Sequence, residues 1–196
     1  MIDAAVAALR AGRPVVLPTD TVYGLCAEPT KAAAAEVARL KERQTRQPIA
    51  LLAGNVEALL ELVPDLPEPL LRALLPGAYT LILPNPARRF PWLAGGNPNT
   101  IGVRVPNLPA ETAAILEAAG PVLATSANVH GGSDPRRLED VPEAIRTACG
   151  ALVDGGELPG TPSTVLDLTG EEPRVLREGA VAAAVAFDRI ASARSD

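Results

Sequence analysis

A chain of 196 residues, 47% of them apolar and 21% charged, has the make-up of one globular domain, expected to span residues 1–196, with a substantial aliphatic core. Its net charge of −5 excludes the broad basic surface that coats nucleic acid, while leaving room for a local basic pocket. Cys26 and Cys149 lack metal-ligand spacing and no apolar run reaches membrane-span length, so no disulfide framework, zinc site or membrane anchor is indicated, and a cytoplasmic location is expected.

Helices and strands intermingle along the chain. Ile2–Ala11 reads as a helix with Asp3 near its positive end and Gly12 as its stop. Pro14–Leu17 is a buried strand. At its carboxyl end Thr19, Asp20, Thr21 and Tyr23 gather hydroxyls, a carboxylate and a phenol just before Gly24. Such a cluster can be a loop whose Thr and Asp side chains bond their own turn, or a ligand site at the end of an α/β strand. Thr30 caps a helix from Lys31 to about Arg43, with Ala34, Val37, Ala38 and Leu40 on one face. Strand Pro48–Leu52, helices Asn55–Val63 and Pro67–Leu75, and strand Tyr79–Leu83 follow. Pro84–Asn99 has no period and reads as a mobile loop able to fold over a site. Next come strand Thr100–Val105, helix Pro109–Ala119, strand Pro121–Ala124 and the polar, glycine-rich Thr125–Ser133. Helix Val141–Cys149, strand Ala151–Asp154, loop Gly155–Pro162, strands Ser163–Leu168 and Arg174–Leu176, and a helix from about Ala180 to Ala193 complete the order. Without repeats or linkers, this pattern predicts an α/β (α+β) domain with helices on the faces of a layered sheet.

The reactive residues exclude several chemistries. No Walker loop, dinucleotide-binding glycine fingerprint or nucleophile elbow is present. His130, the only histidine, has no identifiable partners for a hydrolase triad or a metal site. What recurs is strands and helices that end in groups suited to anions. Lys41 and Arg43 end a helix, where complementing its negative end is the simplest role. Arg104 interrupts an apolar strand and needs an anionic partner or a wet cleft. Ser126 and Asn128 follow a buried strand, where a turn or cap is the ordinary role; Ser163 opens a strand and Arg177 follows one. Three separated cationic positions with clustered hydroxyls predict a pocket for a polyanion and a small polar molecule.

An ordered set of short motifs carries more information than any one of them. Pro18-Thr19-Asp20-Thr21-Val22-Tyr23-Gly24-Leu25, Lys41-x-Arg43, Pro76-Gly77-x-Tyr79-Thr80-Leu81, Gly102-Val103-Arg104-Val105-Pro106, Thr125-Ser126-Ala127-Asn128, Ser163-Thr164-Val165 and Arg177-x-Gly179 together resemble the YrdC family of threonylcarbamoyl-AMP synthases, from about Ala4 to Ala180. The resemblance implies a YrdC-like (DHBP synthase-like) fold in its short, single-domain form: a twisted mixed β-sheet flanked by helices, with a positively charged concave face. It also implies a reaction in which L-threonine, bicarbonate or CO2 and ATP give threonylcarbamoyl-AMP and pyrophosphate, for threonylcarbamoyladenosine modification of tRNA.

By the same resemblance Thr21, Arg104 and Ser126 hold threonine, Arg104 by its carboxylate. Lys41 and Arg43 act on the ATP phosphates as the catalytic pair, and Thr45, Ser126, Asn128, Ser163 and Arg177 complete the nucleotide site. Mg²⁺ accompanies ATP on phosphates and water, with no residue assigned to it as a metal ligand. A tRNA threonylcarbamoyl transferase complex is the implied functional partner, and tRNA itself need not touch this protein. The alternative is an RNA-binding protein with a basic concave face, against which the acidic charge and scarce aromatics count. Two positions depart from the family pattern. The Ser-x-Asn-Pro of many relatives is Thr45-Arg46-Gln47-Pro48 here, and a histidine carried by some relatives falls at Leu52.

Overall fold

The computed structural model describes residues 1–42 and 47–193. In chain order its elements are α1 (Ile2–Arg10), β1 (Val15–Pro18), β2 (Tyr23–Ala27), α2 (Lys31–Leu40), β3 (Ala50–Leu52), α3 (Val56–Leu62), α4 (Glu68–Leu74), β4 (Tyr79–Pro84), β5 (Thr100–Arg104), α5 (Ala110–Ala119), β6 (Val122–Ser126), α6 (Glu143–Ala148), β7 (Ala151–Leu152), β8 (Thr164–Asp167), β9 (Arg174–Arg177) and α7 (Ala183–Ala193). The strands form one mixed sheet in the order β7-β1-β2-β6-β3-β5-β4-β8-β9. β1 and β2 make an antiparallel hairpin, and β6 runs antiparallel to both β2 and β3. β5 lies between β3, to which it is parallel, and β4, to which it is antiparallel; β8 then runs parallel to β4, and β9 closes that edge.

Side-chain alternation divides the apolar residues between the two faces of this sheet. Val16, Leu25, Leu51, Leu81, Val103 and Leu166 share a core with Val37 of α2, Leu71 and Leu74 of α4, Ile145 of α6 and Ile190 of α7. Val15, Leu17, Cys26, Leu52 and Ala124 point the other way and meet Ala5 and Leu9 of α1 and Ile115 and Leu116 of α5. Removing one of these large buried side chains would cost about 2–5 kcal/mol. On this second face α1 and α5 pack toward β1, β2 and β6. Beyond them the face is lined by Ala50, Gly102, Arg104, Thr80 and Val165, which form the floor of an open cleft.

Caps behave as their residue types dictate. Thr30 Oγ1 accepts from the Ala33 N–H at 3.2 Å, and Asn55 Oδ1 accepts from the Ala58 N–H at 2.7 Å. Among the described residues no helix is long and apolar enough to cross a membrane.

Three expectations need correction. Tyr23–Ala27 is a strand rather than part of a polar loop; it is buried throughout, so it shows no alternation to read. Strand β6 continues to Ser126, beyond the expected end at Ala124. The segment expected to be mobile, Pro84–Asn99, is pinned: a 3₁₀ turn at Pro91–Leu93 buries Leu93 completely, the Ile49 N–H donates to the Leu93 carbonyl at 2.8 Å, and buried Asn85 brackets Arg89 through both ends of its amide. None of its residues lines the cleft.

Candidate active site

The site begins with the turn between β1 and β2. Thr19 Oγ1 accepts from the N–H groups of Thr21 and Val22 at 3.2 and 3.3 Å and donates its proton to the Val22 carbonyl at 2.7 Å. Thr21 Oγ1 lies 3.1 Å from Thr19 Oγ1. Thr19 thus bonds its own turn, while the Thr21 oxygen keeps lone pairs for the cleft and for Arg104 Nη2 at 3.4 Å.

Arg104, the last residue of β5, finds both an anionic partner and a cleft. Its Nη2 lies 3.2 Å from Asp20 Oδ1, and the other Asp20 oxygen accepts from the Asn107 N–H at 3.3 Å. Burial pulls the guanidinium pKa below its usual value despite Asp20, and burial pushes the Asp20 carboxyl up despite Arg104. Both shifts arise because each charge has lost water. Among the described residues only Nη2 of this guanidinium has acceptors, and Nε is buried without one. An arginine in that condition is suited to an oxyanion supplied from outside.

The end of β6 is organised from behind by Lys41. This side chain is only 3% exposed; its ammonium donates to the carbonyls of Ser126 and Asn128, the latter at 2.6 Å, and to Asn128 Oδ1 at 2.8 Å. Asn128 Oδ1 also accepts from Ser126 Oγ at 2.7 Å, and its amide nitrogen donates to the Gly132 carbonyl and to Asp134. Lys41 and Asn128 therefore stand within the wall, whereas Ser126 faces the cleft. Arg43 and Thr45 lie outside the described residues.

The opposite end is built from β8 and β9. Arg177 directs Nε and Nη2 to the Ser163 carbonyl at 3.2 and 2.8 Å, and Ser163 Oγ lies 2.7 Å from Thr80 Oγ1. This fold-back needs glycine at position 179: a Cβ there would sit 2.3 Å from the Pro162 carbonyl oxygen. The Gly179 N–H then donates to Thr164 Oγ1 at 2.9 Å.

Register places the two arginines in one row. Arg104 is one step beyond the Leu81–Val103 pair and hence opposite Thr80; Thr80 pairs with Val165, and Val165 with Arg177. Three inter-strand steps separate them by about 14 Å at the backbone. They are near enough that Arg177 also lowers the Arg104 pKa. The cleft holds about 250 Å³ and brings together Thr21, Arg104, Ser126, Ser163 and Arg177. A larger depression of about 600 Å³, between α3 and α5, offers only Glu61 and Glu117 as ionisable groups, so chemistry rather than size selects the site.

Thr80, quoted from sequence only within a motif, and Asp134, not singled out there, also line the cleft. Thr80 was legible as the first cleft-facing position of β4, since Ile82 lies on the same side. Asp134 lies in an irregular segment with no such signal. Leu52 is buried under α1 and α5, and His130 contacts Gln47 at 3.2 Å without lining the cleft.

The chain is similar to known proteins along most of its length. A family model described as Telomere recombination, covering Sua5, YciO and YrdC, matches residues 7–179. The threonylcarbamoyl-AMP synthase of Bacillus subtilis is 34% identical over 186 residues, covering 92% of this chain and 54% of that protein. The enzyme of the same name from Stenotrophomonas maltophilia is 34% identical over 160 residues, covering 79% and 86%. Among solved structures, Pyrococcus abyssi Sua5 complexed with L-threonine gives a TM-score of 0.82 at 33% identity, covering 91% of this chain and 54% of that one. Escherichia coli YciO gives 0.79 at 30% identity, covering 91% and 89%. The chain thus spans about half the length of the Bacillus and Pyrococcus proteins and most of the other two. By the extent of these matches, the chain belongs to the Sua5/YciO/YrdC family.

Proposed function

We propose that this protein is an L-threonylcarbamoyladenylate synthase, using L-threonine, bicarbonate or CO2 and ATP. The observation that carries the reading is a single cleft with two guanidinium groups in one row, Arg104 paired with a carboxylate and Arg177 bonded to neutral groups. Two relatives bear the name of this activity, and a third, of matching fold, was solved with L-threonine. Among the described residues no aromatic side chain lines the cleft for a base to stack on, which speaks against single-stranded RNA as its ligand.

Threonine's carboxylate would meet Arg104, beside the Thr21 oxygen. Its ammonium gives up one proton to water, the free amine adds to CO2 with formation of a C–N bond, and a second proton passes from that nitrogen to water to leave a carbamate. A carbamate oxygen then attacks the α-phosphorus of ATP, the bond to the bridging oxygen breaks, and pyrophosphate leaves. Positioning and charge stabilisation do most of this work, so a site without a side-chain nucleophile suffices. Arg177, Ser163 and Ser126 would hold the nucleotide, while Lys41 and Asn128 keep Ser126 in place from within the wall. Arg43 and Thr45 stay candidates for the phosphates on the sequence pattern.

Mg²⁺ would supply charge neutralisation on the phosphates. Among the described residues no cluster of three ligating side chains exists, and Asp134 is the one carboxylate lining the cleft, so the fit is to an ion held mainly by phosphates and water. The product would serve tRNA threonylcarbamoylation by a separate transferase complex in the cytoplasm. The test is to incubate the protein with ATP, Mg²⁺, bicarbonate and threonine and analyse for pyrophosphate and threonylcarbamoyl-AMP. Formation that requires both threonine and bicarbonate is expected; a folded protein that forms none overturns the reading.

A further inference from the structure

The mechanism leaves Asp20 without a role and the cleft with a selectivity problem. Arg104 and Arg177 share one row, and a bare guanidinium attracts a polyphosphate as readily as a carboxylate. The two arginines differ in one respect. Among the described residues the hydrogen-bond partners of Arg177 are the carbonyl and hydroxyl of Ser163, both neutral, so it presents its full charge. Arg104 has Asp20 at 3.2 Å.

Asp20 does not line the cleft, and its side chain is only 10% exposed. It is fixed on its far oxygen by the Asn107 N–H. Its charge therefore reaches a ligand through Arg104 and the few ångströms between them. At such range, in a partly buried site, charges are felt with little salt screening. A purely anionic ligand at Arg104 meets attraction from the guanidinium and repulsion from the carboxylate behind it. A zwitterion meets the same attraction, and its ammonium offsets the repulsion.

We infer that Asp20 is a specificity-determining residue that reserves the Arg104 end of the cleft for a zwitterionic amino acid and turns away purely anionic ligands, leaving the polyphosphate to the Arg177 end. The inference rests on the proposed function for the identity of the amino acid as threonine, and adds charge class as the property being selected. Asp20 acts through Arg104 and is not itself a contact residue.

The test measures binding of L-threonine, of 2,3-dihydroxybutyrate, in which a hydroxyl replaces the amine, and of pyrophosphate, by calorimetry on the wild type, Asp20→Asn and Asp20→Glu. The wild type is expected to prefer threonine over 2,3-dihydroxybutyrate by about 100-fold or more, and Asp20→Asn to narrow that ratio about tenfold. Pyrophosphate should compete with threonine in Asp20→Asn and not in the wild type, and Asp20→Glu should keep the wild-type order. A merely structural Asp20 would weaken all ligands together; that result, or an unchanged ratio, overturns the inference. Melting curves identify a misfolded variant, with Asp20→Ser as the second neutral replacement. If neither neutral variant folds, the wild type decides: equal affinity for threonine and 2,3-dihydroxybutyrate overturns the inference, and strong preference supports it. A wild type that ignores threonine but prefers L-serine or L-valine over its deaminated counterpart, with the preference lost in Asp20→Asn, rejects threonine and keeps the role of Asp20. A wild type that binds no amino acid rejects both.

Discussion

Among the described residues the ammonium of Lys41, inside the protein, meets three oxygens, from Ser126 and Asn128. Each of its three protons can meet one of them, so removal of the charge strands several acceptors at once. Lys41→Met keeps the stem and removes the donors. A loss of about 2 kcal/mol is expected, since hydrogen bonds to charged groups contribute about 1.5–3 kcal/mol, and in a chain of this length that lowers the melting temperature by about 4–8 °C. Turnover should fall more than either substrate's affinity, because the variant displaces Ser126 rather than deleting a ligand contact. Calorimetric melting with steady-state kinetics checks both; an unchanged melting temperature would return Lys41 to the role of phosphate ligand. The two thiols call for the opposite experiment. Burial pushes Cys26 and Cys149 each up to about 12, so neither should react with Ellman's reagent in the native protein at pH 8, and both should react after denaturation.

At the scale of elements, the hairpin of β1 and β2 is strapped to the segment that leads into Ser163. Tyr23, fully buried, places its hydroxyl against Asp154 Oδ1 at 3.0 Å, the Gly156 carbonyl at 2.8 Å and the Gly155 N–H at 2.9 Å. Tyr23→Phe should cost about 1–1.5 kcal/mol at pH 7. The Asp154 carboxyl is held below its ordinary value by the Gly156 N–H and then by the Tyr23 hydroxyl. Its unfolded state therefore binds more protons across that window: stability from this group is complete above the unfolded pKa and is lost as pH falls through the folded one. The variant has less to lose, so the stability gap between wild type and Tyr23→Phe should narrow in acid, and an NMR titration should show the Asp154 pKa moving up. A gap independent of pH would disconnect the two groups. How much of this was legible depended on local signals. Helix α2 announced itself by its cap and period, and Arg104 by a charge in an apolar run. Strand β2 did not, because burial on both faces erases alternation. Pro84–Asn99 looked free because Leu93, which pins it, is bonded to Ile49, a partner no local pattern reveals. The hydrogen bonds that join Lys41 to Ser126 and Asn128 were not legible for a similar reason: they are tertiary contacts between residues 85 or more apart in the chain.

For the whole molecule, the decisive feature is that one sheet face carries the larger core, packed by α2, α4, α6 and α7, while the other is covered only in part. α1 and α5 pack toward β1, β2 and β6, and the open part over β3, β5, β4 and β8 becomes the cleft. At the far edge β9 exposes Val175 and Leu176, but arginines flank them and a bulge at Val165/Leu166 distorts the pairing, devices that discourage edge-to-edge association. The floor of the cleft is kept low by small residues, Ala124, Ala50 and Gly102, on three adjacent strands. Gly102 is the informative one. A Cβ there would lie 3.3 Å from Ile82 Cδ1, the flexible end of a side chain, and 3.7 Å from Ala50 Cα, so the backbone tolerates it. Glycine within a strand weakens it, and where its missing side chain would face a site it makes room for a ligand. Gly102→Val should therefore leave the melting temperature unchanged or raise it, with a gain of up to about 1 kcal/mol from strand propensity. Its methyl groups would stand in a cleft of about 250 Å³. Threonine-dependent formation of the adenylate should fall by about 100-fold or more, a loss of the size expected when reactants are displaced by an ångström or so. A stable variant with full activity would mean that the substrates do not lie on this face of the sheet. A stable, inactive one would tie the reaction to the uncovered part of the sheet.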